Sequence, residues 1–411
     1  AKHKVEKAIS LINKLEPSYA HRVKEFIDND PPRSARLNID RRRIDRLPLR
    51  RILCISNARG GGTLQHIVDT SKRTESASAY LLARPSTYAP NTHYEIFLLP
   101  DLTPINTPKP GLLVEEIAQF CDRHKITALE YHHLADQDPE KIMQLPTLTG
   151  LPFSFIAHDY FSYCPQITLT TKEGKYCEEP GISECQTCLS NRPKPFISNI
   201  GKWRNIHRTF LTQADSVRCP SAATSSHIRK HFPEANIETV PHLEDNASTF
   251  LKTPDISIKV GDVARVGILG ALSREKGADL MEAAAIDAAQ RNLPIHYTLF
   301  GYAYRTLRCH PEANLTILGP YSNQKLSQLF DQHKPHLIWF PALWPETYSY
   351  TLSIALENRF PVVVPNLGAF PERVEGRAHS SVVPWDSTAQ EINDLIMKQF
   401  KKAKSGVASI L

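Results

Sequence analysis

One stretch of the sequence, from Pro341 to Val374, most narrows the folds open to this chain. It reads PALWPETYSYTLSIALENRFPVVVPNLGAFPERV and follows an apolar run at 336–340 that predicts a buried strand. The segments after that strand are a turn at Pro345-Glu346, a polar run at 347–353, a helix over about 353–358 and an apolar strand at 360–364. Strand, turn, helix and strand in this order form the unit that builds parallel sheets.

The polar residues Ser349, Tyr350 and Thr351 come just before this predicted helix. In a parallel α/β sheet they would lie at the carboxyl edge, where a helix N-terminus opens into a cleft and can bind phosphate. Glu346 stands just before them and is suited to accept hydrogen bonds from hydroxyl groups. The stretch therefore predicts a site for a phosphorylated, hydroxyl-rich ligand.

This stretch resembles the retaining glycosyltransferases of family four, which have the GT-B fold. Their hallmark is a pair of glutamates separated by seven residues; Glu346 matches the first, and Ile354 occupies the place of the second. The similarity continues in order through four more segments, GGGTLQH (60–66), AHDYFSYCP (157–165), LGALSREKG (269–277) and GPY (319–321). It covers the chain from about Arg51 onward and implies two Rossmann-like domains with doubly wound parallel sheets that face each other across a cleft.

The same resemblance implies residues for the donor diphosphate. Lys276, in a loop after a predicted strand, would reach the diphosphate, as would Arg274, although the usual family arginine corresponds to Ala271. Ser349, Tyr350 and Thr351 would contact it from the opposite side. Cationic side chains and helix N-termini would then stabilise the leaving group, and no cofactor would be required for catalysis.

Glu346 would hold the hydroxyl groups of the donor sugar. The second glutamate of the family usually binds the ribose hydroxyls, which Ile354 cannot do. Glu357 lies about 4.5 Å farther along the helix axis and is a poor substitute. The resemblance thus implies sugar transfer from a nucleotide-sugar donor with retention of configuration, while Ile354 puts nucleotide affinity in question.

His158 follows a predicted strand at 153–157 and so belongs at the same sheet edge. By resemblance it would hydrogen-bond the donor sugar; the alternative is a structural histidine tied to Asp159. His132 and His133 also follow a predicted strand and are weaker candidates.

The glycine run NARGGGT (57–63) contains Gly61 and Gly62, which predict a close backbone approach in the cleft or a plain tight turn. The run lacks both the dinucleotide-binding spacing and the Lys-Ser/Thr end of a P-loop.

Four cysteines, Cys164, Cys177, Cys185 and Cys188, form the pattern C-x12-C-x7-C-x2-C within one polar insertion. Four thiolates could hold a structural Zn²⁺. Free thiols and disulfides remain alternatives, because this spacing is not that of a standard zinc finger.

The N-terminal segment carries the basic excess of the chain. Residues 1–51 contain 14 Lys and Arg against 7 Asp and Glu, whereas the whole chain has a formal net charge of +6. Apolar spacing predicts two short helices within 4–28, broken near Pro17, and the run RRRIDRLPLRR (41–51) follows. The segment is expected to be a solvated face, or to contact an anionic membrane surface, a polyanionic acceptor or a partner protein. Nucleic acid is not expected, because no recognition motif accompanies the charge.

Length and composition fit two globular domains. The chain has 411 residues, 41% hydrophobic and 22% charged, with neither a signal segment nor a membrane span in its sequence. We expect a cytoplasmic protein, peripheral at the inner membrane face if the basic segment binds lipid. The predicted organisation is a basic helical extension (1–50), a first domain (51–250) with a cysteine-rich insertion (164–188), a donor-binding domain (251–385) and a helix crossing back to the first domain (386–411).

The leading hypothesis is therefore a glycosyltransferase that acts on a glycan or a lipid-linked acceptor in cell-surface polysaccharide synthesis or a related pathway. The alternatives are a catalytically silent GT-B module that binds a glycan or protein partner, which Ile354 and Ala271 favour, and a nucleotide-sugar epimerase, which Glu346 argues against.

Overall fold

The computed structural model describes the backbone of residues 2–242 and 263–404. Before residue 243 the elements are α1 (Lys2–Leu15), α2 (Tyr19–Asn29), α3 (Arg33–Asp45), β1 (Arg51–Ile55), α4 (Gly62–Arg73), β2 (Ala79–Pro85), β3 (Tyr94–Leu98), β4 (Thr103–Pro104), α5 (Val114–Arg123), β5 (Ala128–Tyr131), α6 (Pro139–Ile142), α7 (Leu145–Thr149), β6 (Phe153–Ile156), α8 (Ile182–Asn191), α9 (Ile200–Thr212), β7 (Ser216–Cys219), α10 (Ala222–His231) and β8 (Ile237–Thr239). After residue 262 they are β9 (Ala264–Leu272), α11 (Ala278–Gln290), β10 (Ile295–Ala303), β11 (Leu315–Ile317), α12 (Asn323–His333), β12 (Leu337–Trp339), α13 (Tyr350–Glu357), β13 (Val362–Pro365), α14 (Phe370–Val374), β14 (Ser380–Val383) and α15 (Ala389–Lys404).

The first domain is built on an eight-stranded sheet in the order β4-β3-β2-β1-β5-β6-β7-β8. Strands β1, β2 and β5–β8 are parallel, as the alternation of apolar runs and helices predicts. The edge strands β3 and β4 are antiparallel. The predicted doubly wound parallel sheet is confirmed, with an antiparallel addition at this edge, where the connection from β2 to β3 contains no helix to return the chain to the same end.

The second domain has a six-stranded parallel sheet in the order β11-β10-β9-β12-β13-β14. Apolar clusters pack on both of its faces. Strand β9 continues to Leu272, three residues beyond the prediction, and pairs with β10 along that extension. Part of the predicted loop at 270–277 is therefore strand.

The N-terminal extension contains three helices rather than the two predicted. The break between α1 and α2 falls near Pro17 as expected. Helix α3 joins the first domain: Ile44 lies in its core, and the buried Asp40 carboxylate accepts the Asn106 backbone N–H at 2.8 Å. The basic run is thus partly helical and docked, which its composition did not indicate.

Helix α15 packs on α11 and β9, and its buried residues Ile392, Ile396 and Phe400 complete the core of the second domain. Residues 389–404 were expected to cross back to the first domain. They pack on the second domain instead, where their apolar face is buried. Residues 405–411 and the predicted linker at 243–257 lie outside the described residues. Across the part of the chain that the structure describes, no helix combines the length and apolarity needed to cross a bilayer.

The two domains meet through the segments that follow their parallel strands. The Thr347 hydroxyl, after β12, donates to the His158 carbonyl oxygen, after β6, at 2.8 Å. The Glu372 carboxylate accepts the Ala222 backbone N–H, at the start of α10, at 3.0 Å. The carboxyl edges of the two sheets therefore face each other.

Candidate active site

Two predicted site residues from the second domain lie side by side. The Lys276 ammonium is 3.5 Å from a Glu346 carboxylate oxygen, and Glu346 is buried whereas the Lys276 side chain is 42% exposed. Their loops are joined by the Leu343 N–H, which donates to the Glu275 carbonyl at 2.8 Å. A buried carboxylate thus stands next to an ammonium group that solvent can reach.

Gly277 allows the Lys276 loop to lie this close. It adopts φ +83° at the start of α11, and a Cβ there would stand 1.9 Å from the Pro341 carbonyl oxygen. A larger residue would push Lys276 away from the turn that carries Glu346.

Helix α13 begins at Tyr350, three residues earlier than predicted, after Ser349 in a left-handed conformation (φ +77°). Arg373 holds this strained entry: its guanidinium donates to the carbonyls of Tyr348 at 2.9 Å and Ser349 at 2.7 Å, and to the Ser353 hydroxyl at 2.7 Å. Sequence reasoning missed Arg373, whose only signal was its place near the end of the opening stretch. The N-terminus of α13, a place where N–H groups lack partners within the helix, is thereby held in one position.

The glycine run of the first domain approaches α13 from across the cleft. A Cβ on Gly62 would lie 3.1 Å from the Tyr350 ring, while Gly61, with φ +94°, is exposed and opens α4. Gly62 thus lies close to Tyr350, while a role of Gly61 and Gly62 toward a ligand stays a prediction. Thr351, the third predicted residue here, packs its methyl group toward Gly270 and its hydroxyl lies 3.2 Å from that of Ser349.

His158 belongs to a group of histidines that the sequence did not predict as a group. Its Nε2 is 3.0 Å from Nδ1 of His132, and the rings of His66 and His242 lie 5.1 and 5.5 Å from its own. Asp159, the predicted structural partner of His158, instead lies 2.6 Å from Nδ1 of His133. The first domain thus contributes a cluster of imidazoles at its carboxyl edge.

His66, His158 and His242 are uncharged at neutral pH. Burial lowers the pKa of His66 to about 3 and that of His242 to about 2, and the neighbouring histidines add to both effects. Burial likewise holds the pKa of His158 well below its usual value. Neutral imidazoles can each offer one lone pair and one N–H to a ligand.

Arg274 is placed differently from the prediction. Its exposed guanidinium lies 3.5 Å from Asp279 and donates to the Tyr304 hydroxyl and the Lys172 carbonyl, each at 3.3 Å. Its polar partners are therefore on the insertion and the outer surface of the second domain, and the predicted contact with the diphosphate has no support from them.

Ile354 lies half-buried on α13 and packs with an apolar cluster that includes Leu352, Leu356 and Phe370. The position that bears a glutamate in the resembling family is apolar here in its surroundings as well as in its side chain.

The cysteine-rich insertion brings its four thiols near one another, but their sulfur atoms do not surround a common centre. Burial raises the pKa of Cys164 to about 12, and the other three thiols add to the shift. Arg204 donates to the sulfur of Cys185 at 3.3 Å, and Arg192 to that of Cys188 at 3.0 Å. The donor chemistry suits zinc, but among the described residues the cysteines do not form a group whose ligand atoms all lie within 4.8 Å of one another.

Comparison with known proteins was informative at the level of structure. No protein-family model and no curated protein sequence matches the chain. Solved structures do match it, among them Anabaena HepE in complex with UDP-glucose (14% identity, 87% of this chain, 91% of that one, TM-score 0.54) and a Rickettsia africae glycosyltransferase (12%, 87%, 90%, 0.56). The catalytic domain of Arabidopsis thaliana starch synthase IV bound to ADP and acarbose also matches (12%, 87%, 92%, 0.53).

The chain has the GT-B fold. At these identities the likeness establishes the GT-B fold alone, so the activity has to be argued from the residues of this chain. Its two sheets and the cleft between them are those that the resemblance in the sequence implied.

Proposed function

We propose that this protein is a glycosyltransferase that transfers a sugar from a nucleotide-sugar donor, with retention of configuration, to a glycan or a lipid-linked acceptor. The observation that carries the proposal is the pairing of Lys276 with the buried Glu346 at 3.5 Å, beside the N-terminus of α13 in the cleft of a GT-B fold. A diphosphate and a sugar need opposite chemistries next to each other, and this pair supplies both.

In the proposed reaction Lys276 and the first N–H groups of α13 stabilise the negative charge that develops on the leaving nucleoside diphosphate. Glu346 accepts hydrogen bonds from hydroxyls of the donor sugar and thereby orients its anomeric carbon. His158, neutral and half-buried, holds a further hydroxyl from the first domain. We assign no protein nucleophile.

The similar structures are consistent with this proposal in the ligands that they contain, which are UDP-glucose for HepE, and ADP and acarbose for starch synthase IV. Polysaccharide synthesis remains the process that we propose on the resemblance of the sequence.

The test is release of nucleoside diphosphate from a panel of UDP-, GDP- and ADP-sugars by the full chain. We expect turnover of one donor class, reduced by about 100-fold in Lys276→Ala and Glu346→Gln, because each removes a group that acts on the transition state. Lys325→Ala, an exposed lysine of the same domain, is the matched control and should retain full activity.

One observation favours a second candidate, a silent GT-B module that binds a glycan or a partner. Ile354 packs in an apolar cluster where the resembling family has a glutamate, so ribose binding has lost its usual carboxylate. Absence of turnover with every donor, together with binding of a glycan, would establish this alternative and contradict the transferase proposal.

We also propose that the N-terminal helices contact an anionic membrane surface. Every described side chain of α1 and α2 is exposed, and large apolar side chains such as Leu15, Phe26 and Ile27 are 55–72% accessible. Lysines and arginines lie among them. Apolar insertion with electrostatic attraction is the way such helices bind anionic lipid.

A further inference from the structure

Four histidines from separate segments of the first domain converge at its carboxyl edge. His66 lies on α4, His132 follows β5, His158 follows β6 and His242 follows β8. The ring of His66 is 5.9 Å from that of His132, 5.1 Å from that of His158 and 4.0 Å from that of His242. No short sequence motif links them, and only the topology of the sheet brings them together.

Three of these side chains have the spacing of a metal site. The ligand atoms of His66, His132 and His158 all lie within 4.8 Å of one another. Nδ1 of His132 and Nε2 of His158 are 3.0 Å apart. Two nitrogens bound to one Zn²⁺ at 2.0–2.1 Å in tetrahedral geometry are separated by roughly 3.3–3.4 Å. Small side-chain movements would therefore suffice to close the three nitrogens around an ion.

A carboxylate stands behind the most buried member of the group. Nε2 of His132 is buried and lies 3.7 Å from Glu130, on the side of the ring away from His158. A carboxylate on the outer nitrogen of a histidine is the usual support for a metal ligand, because it fixes the ring and directs the other nitrogen to the ion.

The group borders a cavity that can admit a cation. A cavity of about 180 Å³ lies beside the histidines and is lined by His66, Glu130, Arg218 and His242 among others. Arg218 lies 3.7 Å from Glu130, so the Glu130 carboxylate interacts with both Arg218 and His132.

We propose that His66, His132 and His158 form a binding site for a divalent transition-metal ion such as Zn²⁺. Three imidazoles select zinc, cobalt or nickel over magnesium and calcium, which prefer oxygen ligands. Within residues 2–242 and 263–404 no fourth side chain belongs to the ligand group, so water or a ligand in the cleft completes the coordination.

The site has a consequence for the proposed transferase, and this step rests on the proposed function. Binding of the ion engages the His158 imidazole, which the proposed function assigns to a hydroxyl of the donor sugar. Zn²⁺ and the donor therefore compete, and micromolar Zn²⁺ inhibits transfer without acting on the acceptor.

The decisive experiment is a Co²⁺ titration of the full chain followed by visible absorption, with Cys185→Ser and Cys188→Ser introduced so that the insertion cannot bind the probe. We expect one equivalent of Co²⁺ with the intense visible bands of a four- or five-coordinate nitrogen site. His66→Gln and His158→Gln should each weaken binding by at least about tenfold, because one of three ligands is lost. His310→Gln, an exposed histidine of the second domain, should bind like the parent.

Co²⁺ binding is measured without donor or acceptor, so it stands or fails separately from the transferase activity. Circular dichroism of each variant establishes that the fold is retained. Absence of the visible bands in the parent, or equal Co²⁺ affinity in the parent, His66→Gln and His158→Gln, would overturn the proposal.

Discussion

At the scale of single residues, Ile354 bears most directly on nucleotide binding, because it occupies the place of the second glutamate of the resembling family. It stands on α13 one turn after Tyr350, the residue that faces Gly62 across the cleft. If the donor lies as proposed, its ribose passes this position and meets a methyl group instead of a carboxylate.

We predict that Ile354→Glu tightens binding of the donor nucleotide by roughly 10- to 100-fold, since hydrogen bonds from two ribose hydroxyls to an ionised carboxylate contribute about 1.5–3 kcal/mol. Isothermal titration with UDP, GDP and ADP measures the gain, and Ile354→Leu, which preserves the apolar packing, should leave affinity unchanged. An unaltered or weaker affinity in the glutamate variant would mean that the ribose lies elsewhere.

At the scale of elements, the insertion links the two domains. Toward the second domain, the Lys172 carbonyl accepts a hydrogen bond from Arg274, and the Tyr176 ring lies 5.8 Å from that of Trp385. Toward the first domain, the Glu179 carboxylate lies 2.5 Å from His227 and 2.9 Å from His231 of α10. A staple inside the insertion would thus stabilise the contact between the domains. The structural Zn²⁺ proposed for its four cysteines would be that staple.

We predict that the purified protein, after dialysis against a weak chelator, retains about one equivalent of zinc that is lost in Cys185→Ser/Cys188→Ser. This variant should also unfold at a lower urea concentration, because binding of a structural zinc contributes directly to folding. Elemental analysis and urea denaturation provide the readouts, with the exposed Cys309→Ser as control. Equal zinc content in the parent and the double variant would exclude the site.

The N-terminal helices give a second prediction at this scale. Leu15→Ser/Phe26→Ser should weaken sedimentation with phosphatidylserine-containing vesicles by about tenfold, because two exposed apolar side chains no longer enter the lipid. Leu148→Ser, which removes an exposed leucine of the first domain, is the control. If the parent does not bind these vesicles in low salt, the membrane proposal is wrong.

At the scale of the whole molecule, the buried histidines make stability depend on pH. The folded-state pKa of His66 is about 3, whereas an unfolded histidine titrates near 6.5. Between these values the unfolded chain binds more protons than the folded one, so the free energy of unfolding decreases as pH falls. The contribution of the neutral histidine is present above pH 6.5 and is lost progressively below it.

We therefore predict that the free energy of unfolding of the parent decreases between pH 7 and pH 5, by up to about 1.4 kcal/mol per pH unit for each such histidine. His66→Gln cannot be protonated and should show a shallower decrease, whereas His310→Gln should follow the parent. Urea titrations at several pH values supply the comparison. Parallel curves for the parent and His66→Gln would contradict the assigned pKa shift.

Much of the fold could be predicted from the sequence, because the parallel strands are short apolar runs and most of them are followed by a helix. The apolar run at 336–340 and the Pro341–Val374 stretch together predicted the strand, turn and helix that hold Glu346, Ser349 and Tyr350. The antiparallel edge strands and the docked helix α3 could not be predicted in this way, since strand direction and docking depend on which surfaces are left uncovered. Neither strand direction nor docking can be predicted from the spacing of apolar residues along the chain.

The sequence by itself determined the two α/β domains and the turn before α13, and it predicted Lys276 and Glu346 as candidate partners for a charged, hydroxylated ligand. Only the tertiary structure decided that Arg274 serves the insertion, that Arg373 holds the entry to α13, and that four histidines meet at one edge. The reason is physical: local order follows from neighbours along the chain, whereas a cluster drawn from α4, β5, β6 and β8 exists only once the sheet has placed their ends together.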